Sequence, residues 1–153
     1  CGRRYRYLLQ SASVRSPLLV GRAGWTHYPL DVAAMREAAA LLLGEHDFSS
    51  FRAAECQAKS PKRFLREISF HQKDIWLALD FWGNAFLHHM IRNLVGTLLM
   101  VGDGRRPEEW VAEVLASGDR KQAGMTVPPF GLYFYGARYP ERFIAPPPAV
   151  EFY

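Results

Sequence analysis

The strongest constraint on this chain is one stretch that is apolar nearly all round, residues 84–102, reading NAFLHHMIRNLVGTLLMVG. Its side chains recur at helical spacing: Phe86, Met90, Leu94, Thr97, Leu98 and Val101 on one side, Leu87, Ile91 and Val95 on the adjoining one. Asn84 is placed to cap the start, because its side chain can accept from a free backbone N–H, and Gly102 can take the left-handed conformation that ends helices. A helix of this kind is a buried one, so the remaining chain must build layers that cover it. Arg92 breaks the pattern. It sits mid-helix on the stripe His88, Arg92, Gly96, and the glycine one turn on offers no side chain to cover it. A guanidinium does not shed its charge, so it needs an anionic partner or the wall of a cleft. No acidic residue lies within a turn of it. The partner must come from elsewhere, and a purely structural ion pair would satisfy it as well as a functional one.

The 153 residues supply enough chain for one domain or two small ones, and the balance of 49% hydrophobic to 22% charged residues gives it a core. The longest apolar run is interrupted by Asn93 and is too short to span a bilayer. Behind Cys1-Gly2-Arg3-Arg4 nothing has the form of a signal peptide, and the chain opens directly into a strand pattern, which suggests a piece of something longer. Cys1 and Cys56 make no metal or redox motif, so a reducing, cytoplasmic setting is expected. A net charge of +4 is compatible with a nucleic-acid partner and does not establish one.

Read in order, residues 4–9 alternate as a strand, with Tyr5, Tyr7 and Leu9 on one face. Residues 11–29 form a long connection that brings Trp25 and His27 towards a cleft. Asp31 caps a helix running to Leu43, with Met35, Ala38, Ala39 and Leu42 inward and Gly44 as its stop. Residues 47–51 read as a turn or short helix and residues 52–61 as a polar segment. Residues 62–71 and 75–82 are two strands of a hairpin turning at Lys73-Asp74. The apolar helix follows. Pro107 opens a further helix over residues 108–116, residues 118–129 are loop, and residues 131–139 are the last strand. The order βαββαβ, with one extra helix, predicts an α+β fold of the ferredoxin-like type: a four-stranded antiparallel sheet with helices on one face. We place residues 1–145 in this domain and residues 146–153 in an extended, proline-rich tail.

Several residues carry chemistry, each with a plainer alternative. Tyr5 and Tyr7 stand between arginines on one strand, where aromatic rings can stack on bases while cations hold phosphates, or simply join the core. His88 and His89 invite a metal, but adjacent helical residues diverge by about 100° and cannot share one, so no metal site is expected. Cys56 has nothing local to lower its thiol pKa and reads as a small core residue. The basic stretch holding Arg52, Lys59, Lys62, Arg63, Arg66 and Lys73 can track a phosphate backbone or be a solvated hairpin. The loop Asp119-Arg120-Lys121-Gln122-Ala123-Gly124 can touch phosphate or cap the helix before it.

Taken together, Arg3-Arg4-Tyr5-Arg6-Tyr7, Asp47-Phe48-Ser49-Ser50-Phe51-Arg52, the segment from Asn84 to Gly96, Gly131-Leu132-Tyr133 and Tyr139-Pro140 resemble the C-terminal domain of the tRNA pseudouridine synthase A family almost end to end. The central helix is the most specific of these motifs. The resemblance implies a homodimeric isomerase that converts uridine to pseudouridine in the anticodon stem-loop of tRNA, without metal or organic cofactor. It implies that Tyr5 is the tyrosine stacking on the target base, that Arg92 pairs with the catalytic aspartate, and that Leu132 packs beside the flipped uracil. Arg52, Lys59, Lys62, Arg63 and His89 are the candidate tRNA contacts. The family's nucleophilic aspartate lies in an Arg-Thr-Asp motif of an N-terminal domain, and these 153 residues contain no such motif. The resemblance therefore implies a chain that is inert alone. Two readings from other classes are a non-catalytic RNA-binding module of RRM-like fold, which needs exposed aromatics on its central strands, and a metabolite-binding ferredoxin-like domain, which predicts no cleft at Arg92.

Overall fold

The alternating strands assemble into a single sheet. A computed structural model describes residues 2–13, 21–54, 56 and 58–138; Cys1, Tyr139-Pro140 and the tail lie outside the described residues. Strand β1 (Gly2–Ser11) pairs antiparallel with β5 (Trp76–Gly83), which pairs antiparallel with β4 (Lys62–Lys73). β6 (Leu132–Arg138) runs antiparallel along the first part of β1. These are the four expected strands. The hairpin turns one residue later than the dipeptide pattern suggests: Lys73 and Trp76 are still paired, and Asp74 takes the left-handed conformation, φ 54°, that a two-residue turn requires.

Two short strands extend the sheet to six. β2 (Gly24–Thr26) lies in the segment read as pure connection and pairs parallel with the end of β1, Leu9 opposite Gly24. β3 (Gly44–Asp47) adds to the far edge of β4. The order is β2-β1-β5-β4-β3, with β6 beside β1.

The helices cover one face. α1 (Val32–Ala40) is capped by Asp31 as expected, its Oδ1 accepting from the Ala34 N–H at 3.1 Å, and it ends three residues before Leu43. α2 (Met90–Gly102) and α3 (Glu109–Ser117) complete the layer. Met35, Ala38, Leu42, Met90, Leu94, Val95, Leu98, Val111 and Val114 close on Tyr7, Leu9, Phe70, Leu77, Leu79 and Phe81. Register explains which strand residues take part. Tyr5 and Tyr7 lie opposite Phe81 and Leu79, and opposite partners in an antiparallel pair share a face. The intervening residues Arg4, Arg6 and Leu8 therefore share the other face with Trp82, Asp80 and Ala78.

The start of α2 differs from the expectation. Residues 84–89 are irregular, and the helix begins at Met90 with His89 at its N-cap. Asn84 is occupied elsewhere: its Oδ1 accepts from the N–H of Phe64, across the sheet, at 3.0 Å and from that of Ala85 at 2.8 Å. His89 takes φ 61°, a left-handed conformation costing a non-glycine residue roughly 1–2 kcal/mol. Among the described residues no helix is long and apolar enough to cross a membrane.

Candidate active site

The helix-covered face of β1 and β6 gathers the aromatic residues. Tyr5 lies opposite Phe134 and Tyr7 opposite Leu132, so all four point to the same side. Tyr7 is fully buried, and its hydroxyl donates to the Pro128 carbonyl at 2.9 Å. Burial pushes its phenol up to about 12, opposed by the positive charge of Arg92. Tyr5 sits further out. It is half-buried and meets Phe86 and Phe134 edge-to-face, each at 5.4 Å between centroids. Phe134 is 62% exposed, which puts Tyr5 at the border between core and solvent. Leu132 is half-buried against the core.

Arg92 projects from α2 on this side. It is half-buried; its Nε donates to the Val127 carbonyl at 2.8 Å, and its own carbonyl accepts from the Val127 N–H at 3.3 Å. No carboxylate among the described residues pairs with it. Tyr7 feels the Arg92 charge and stands two residues from Tyr5 on the same strand face. The structure thus brings Tyr5, Leu132 and Arg92 to one side of the sheet, around Tyr7. Gly96 is explained by the same contact. A Cβ there would lie 1.7 Å from the Met125 carbonyl oxygen, so the loop after α3 rests directly on the helix backbone.

The remaining candidates are spread more widely. Arg52 donates from Nη2 to the carbonyls of Cys56, 3.0 Å, and Ala58, 2.8 Å, folding its own loop. Arg63 donates to the carbonyls of Ser60 at 2.9 Å and Lys62 at 2.6 Å. Lys59 and Lys62 are exposed beside them. His89 is half-buried, and its ring stacks on His88 at 3.9 Å. Helical divergence does not separate this pair: both residues precede α2, with His89 in the left-handed conformation. Among the described residues no cluster of three metal-ligating side chains forms. Cys56 packs against the core as expected, but its thiol differs from the expectation. Its thiol is held below the usual range by hydrogen bonding to the backbone of Ala58 and His88, with Arg52 adding to the effect, a cause that only the folded loop supplies.

Across the sheet, Asp80 accepts from Arg6 in two bonds, Nε to Oδ1 at 2.7 Å and Nη2 to Oδ2 at 2.9 Å, and lies 3.3 Å from His71 Nε2. It is on the opposite face from Tyr5. On that face Arg4 and Arg66 lie over the Trp82 ring at 5.0 and 4.1 Å, and Trp76 is buried, so the described strands do not offer the bare central aromatics of an RRM-like binder. Asp119 accepts from the Lys121 N–H at 2.9 Å and caps a short turn. Arg120, the next residue, points inward: its guanidinium donates to Asn93 of α2 and to Thr126 and Gly124 of the loop after α3.

The fold is thus that of an α+β domain carrying an aromatic shelf and an interior arginine on one side of its sheet. The family model for tRNA pseudouridine synthase matches residues 38–140, and the chain belongs to that family. It is 56% identical over 145 residues to the tRNA pseudouridine synthase A of Burkholderia mallei (strain SAVP1), covering 95% of this chain and 54% of that protein. Over 146 residues it is 55% identical to the tRNA pseudouridine synthase A of Paraburkholderia phytofirmans and 53% identical to that of Paraburkholderia xenovorans, with the same coverage. The chain spans about half the length of the curated relatives it matches. The family resemblance drawn from the motifs therefore holds.

Proposed function

We propose that this chain is the part of a tRNA pseudouridine synthase that holds the target base and directs the attacking carboxylate, with residues 1–145 as one domain and residues 146–153 as its tail. The reaction isomerises a uridine of the tRNA anticodon stem-loop: the bond from the ribose to the ring nitrogen breaks, the uracil turns, and a bond to ring carbon forms. The observation that carries this reading is the convergence of Tyr5 and Arg92 on one side of the sheet, linked through Tyr7.

The target base must leave its stack to be reached, and the Tyr5 ring offsets part of the lost stacking while Leu132 packs beside it. Arg92 holds the catalytic aspartate, keeps it ionised and fixes its direction. Lys59 and Lys62 meet phosphate where the loop shaped by Arg52 and Arg63 enters β4, with His89 at the edge of the cleft. No metal or organic cofactor takes part. The aspartate comes from another part of the enzyme, because the chain lacks the Arg-Thr-Asp motif and Asp80 is engaged by Arg6 across the sheet. The intact enzyme is expected to be a cytoplasmic homodimer, since a tRNA needs a basic surface wider than one small domain.

The test uses tRNA transcripts carrying tritium at uridine C5, which pseudouridine formation releases. The protein containing this chain is expected to release tritium from the anticodon stem-loop; the 153-residue chain alone is not. No release by the intact protein overturns the functional reading. Release by the chain alone overturns the claim that the nucleophile lies outside it.

A further inference from the structure

Two consecutive residues of α2 are bonded to two consecutive residues of the loop after α3. Arg92 exchanges hydrogen bonds with Val127, through Nε at 2.8 Å and through its carbonyl at 3.3 Å. Its neighbour Asn93 accepts at Oδ1 from the Thr126 hydroxyl at 2.5 Å. Arg120 ties this pair together. Its Nη2 donates to Asn93 Oδ1 and to Thr126 Oγ1, both at 3.0 Å, and its Nη1 donates to the Gly124 carbonyl at 2.8 Å. Gly124 in turn donates its N–H to Thr97 Oγ1 at 2.9 Å, one turn along the helix from Asn93. The carbonyl that orients Arg92 is therefore one residue from a clamp whose centre is the Arg120 guanidinium.

The choice of residue is informative. Arg120 is half-buried, its acceptors are all neutral, and burial lowers its pKa. Holding a partly desolvated cation with no counter-ion among the described residues is a poor way to gain stability alone. A planar fork is, however, a good way to fix three acceptors at set angles.

We infer that Arg120 is a positioning residue for Arg92: by clamping Asn93, Gly124 and Thr126 it fixes the Val127 carbonyl, and through it the direction in which the Arg92 guanidinium presents itself. This rests on the function proposed above. Arg120 touches neither base nor carboxylate. Its loss acts by letting Arg92 drift, and displacements of about 1 Å in a reacting group cost on the order of a hundredfold in rate.

The test is made in the intact enzyme with Arg120→Gln, Thr126→Val, Arg92→Lys and the double variant Arg120→Gln/Arg92→Lys, reading tRNA affinity and the single-turnover rate on bound tRNA separately. Arg120→Gln is expected to slow turnover roughly ten- to a hundredfold with affinity within about twofold, since binding is spread over many phosphates. Thr126→Val, which keeps the volume and removes one clamp acceptor, is expected to lose several-fold in the same way. The double variant should be little slower than Arg92→Lys, because positioning is worthless once the fork is gone. If Arg92→Lys is slow while Arg120→Gln and Thr126→Val match the wild type on bound tRNA, or if the losses add in full, the positioning role is wrong and the proposed function stands. If Arg92→Lys itself turns over at the wild-type rate, it is the proposed function that fails. Should Arg120→Gln not fold, Thr126→Val decides: a wild-type rate overturns the inference.

Discussion

Tyr7 shows how one side chain can tie fold to chemistry. It is buried among the core residues, yet its hydroxyl reaches the Pro128 carbonyl and its phenol senses Arg92. Because its pKa is raised in the folded protein, from 10.0 to about 12, it favours the protonated native state. Below pH 10 the phenol is protonated in both states, and stability falls as pH rises towards 12, where the unfolded phenol ionises before the folded one. The loss amounts to about 2–3 kcal/mol. Tyr7→Phe removes it along with the hydrogen bond. The variant should be about 1 kcal/mol less stable at neutral pH and should show a shallower decline across pH 10 to 12 than the wild type, measured by urea unfolding at each pH. An unchanged alkaline decline would mean that Tyr7 is not the buried titrating group. Arg92 was legible at this scale from a charge inside an apolar helix. Arg120 was not, because its acceptor Asn93 lies 27 residues away in sequence and its own surroundings read as an ordinary polar loop.

Among the elements, α2 carries the most information. Its body was legible because nearly every turn is apolar. Its start was not, because the side chain of Asn84 is captured by Phe64, 20 residues earlier, and a left-handed histidine begins the helix instead. The hairpin was legible from alternation, whereas β2 is three residues joined to β1 from a distant segment and β3 is four residues, GEHD, with no apolar signal. The seam between α2 and the loop after α3 depends on Gly96 and Gly124, whose added Cβ atoms would meet backbone at 1.7 Å and 2.6 Å. Backbone cannot swing aside as a side chain can. Gly96→Ala should therefore cost about 1–3 kcal/mol or more, well beyond the modest helix-propensity gain that alanine brings. A urea midpoint at or above that of the wild type would show that the loop does not rest on the helix here.

At the scale of the whole molecule the sheet separates two jobs. One face builds the core and presents Tyr5, Leu132 and Arg92; the other carries the ion pair of Arg6 with Asp80, flanked by His71. Asp80→Asn should lower stability by about 1–3 kcal/mol through the weakened, part-buried pair, and should leave the single-turnover rate of the intact enzyme near wild type. A loss of turnover in protein that remains folded would return Asp80 to the reacting site. The alternating strands and amphipathic helices made the fold class readable, because burial on one face leaves a period in the sequence. The shared side of Tyr5 and Arg92 is a consequence of register and of how α2 crosses the sheet, which only the assembled structure supplies. The central claim is that Arg92 directs a carboxylate, and one comparison tests it most directly: tRNA affinity and single-turnover rate measured on the same Arg92→Lys enzyme. Lysine keeps the charge but loses the two parallel donors that hold a carboxylate. The account predicts affinity within about twofold of wild type and a rate on bound tRNA reduced by roughly a hundredfold. Affinity that collapses while bound tRNA is converted at the wild-type rate would make Arg92 a phosphate contact and contradict the account.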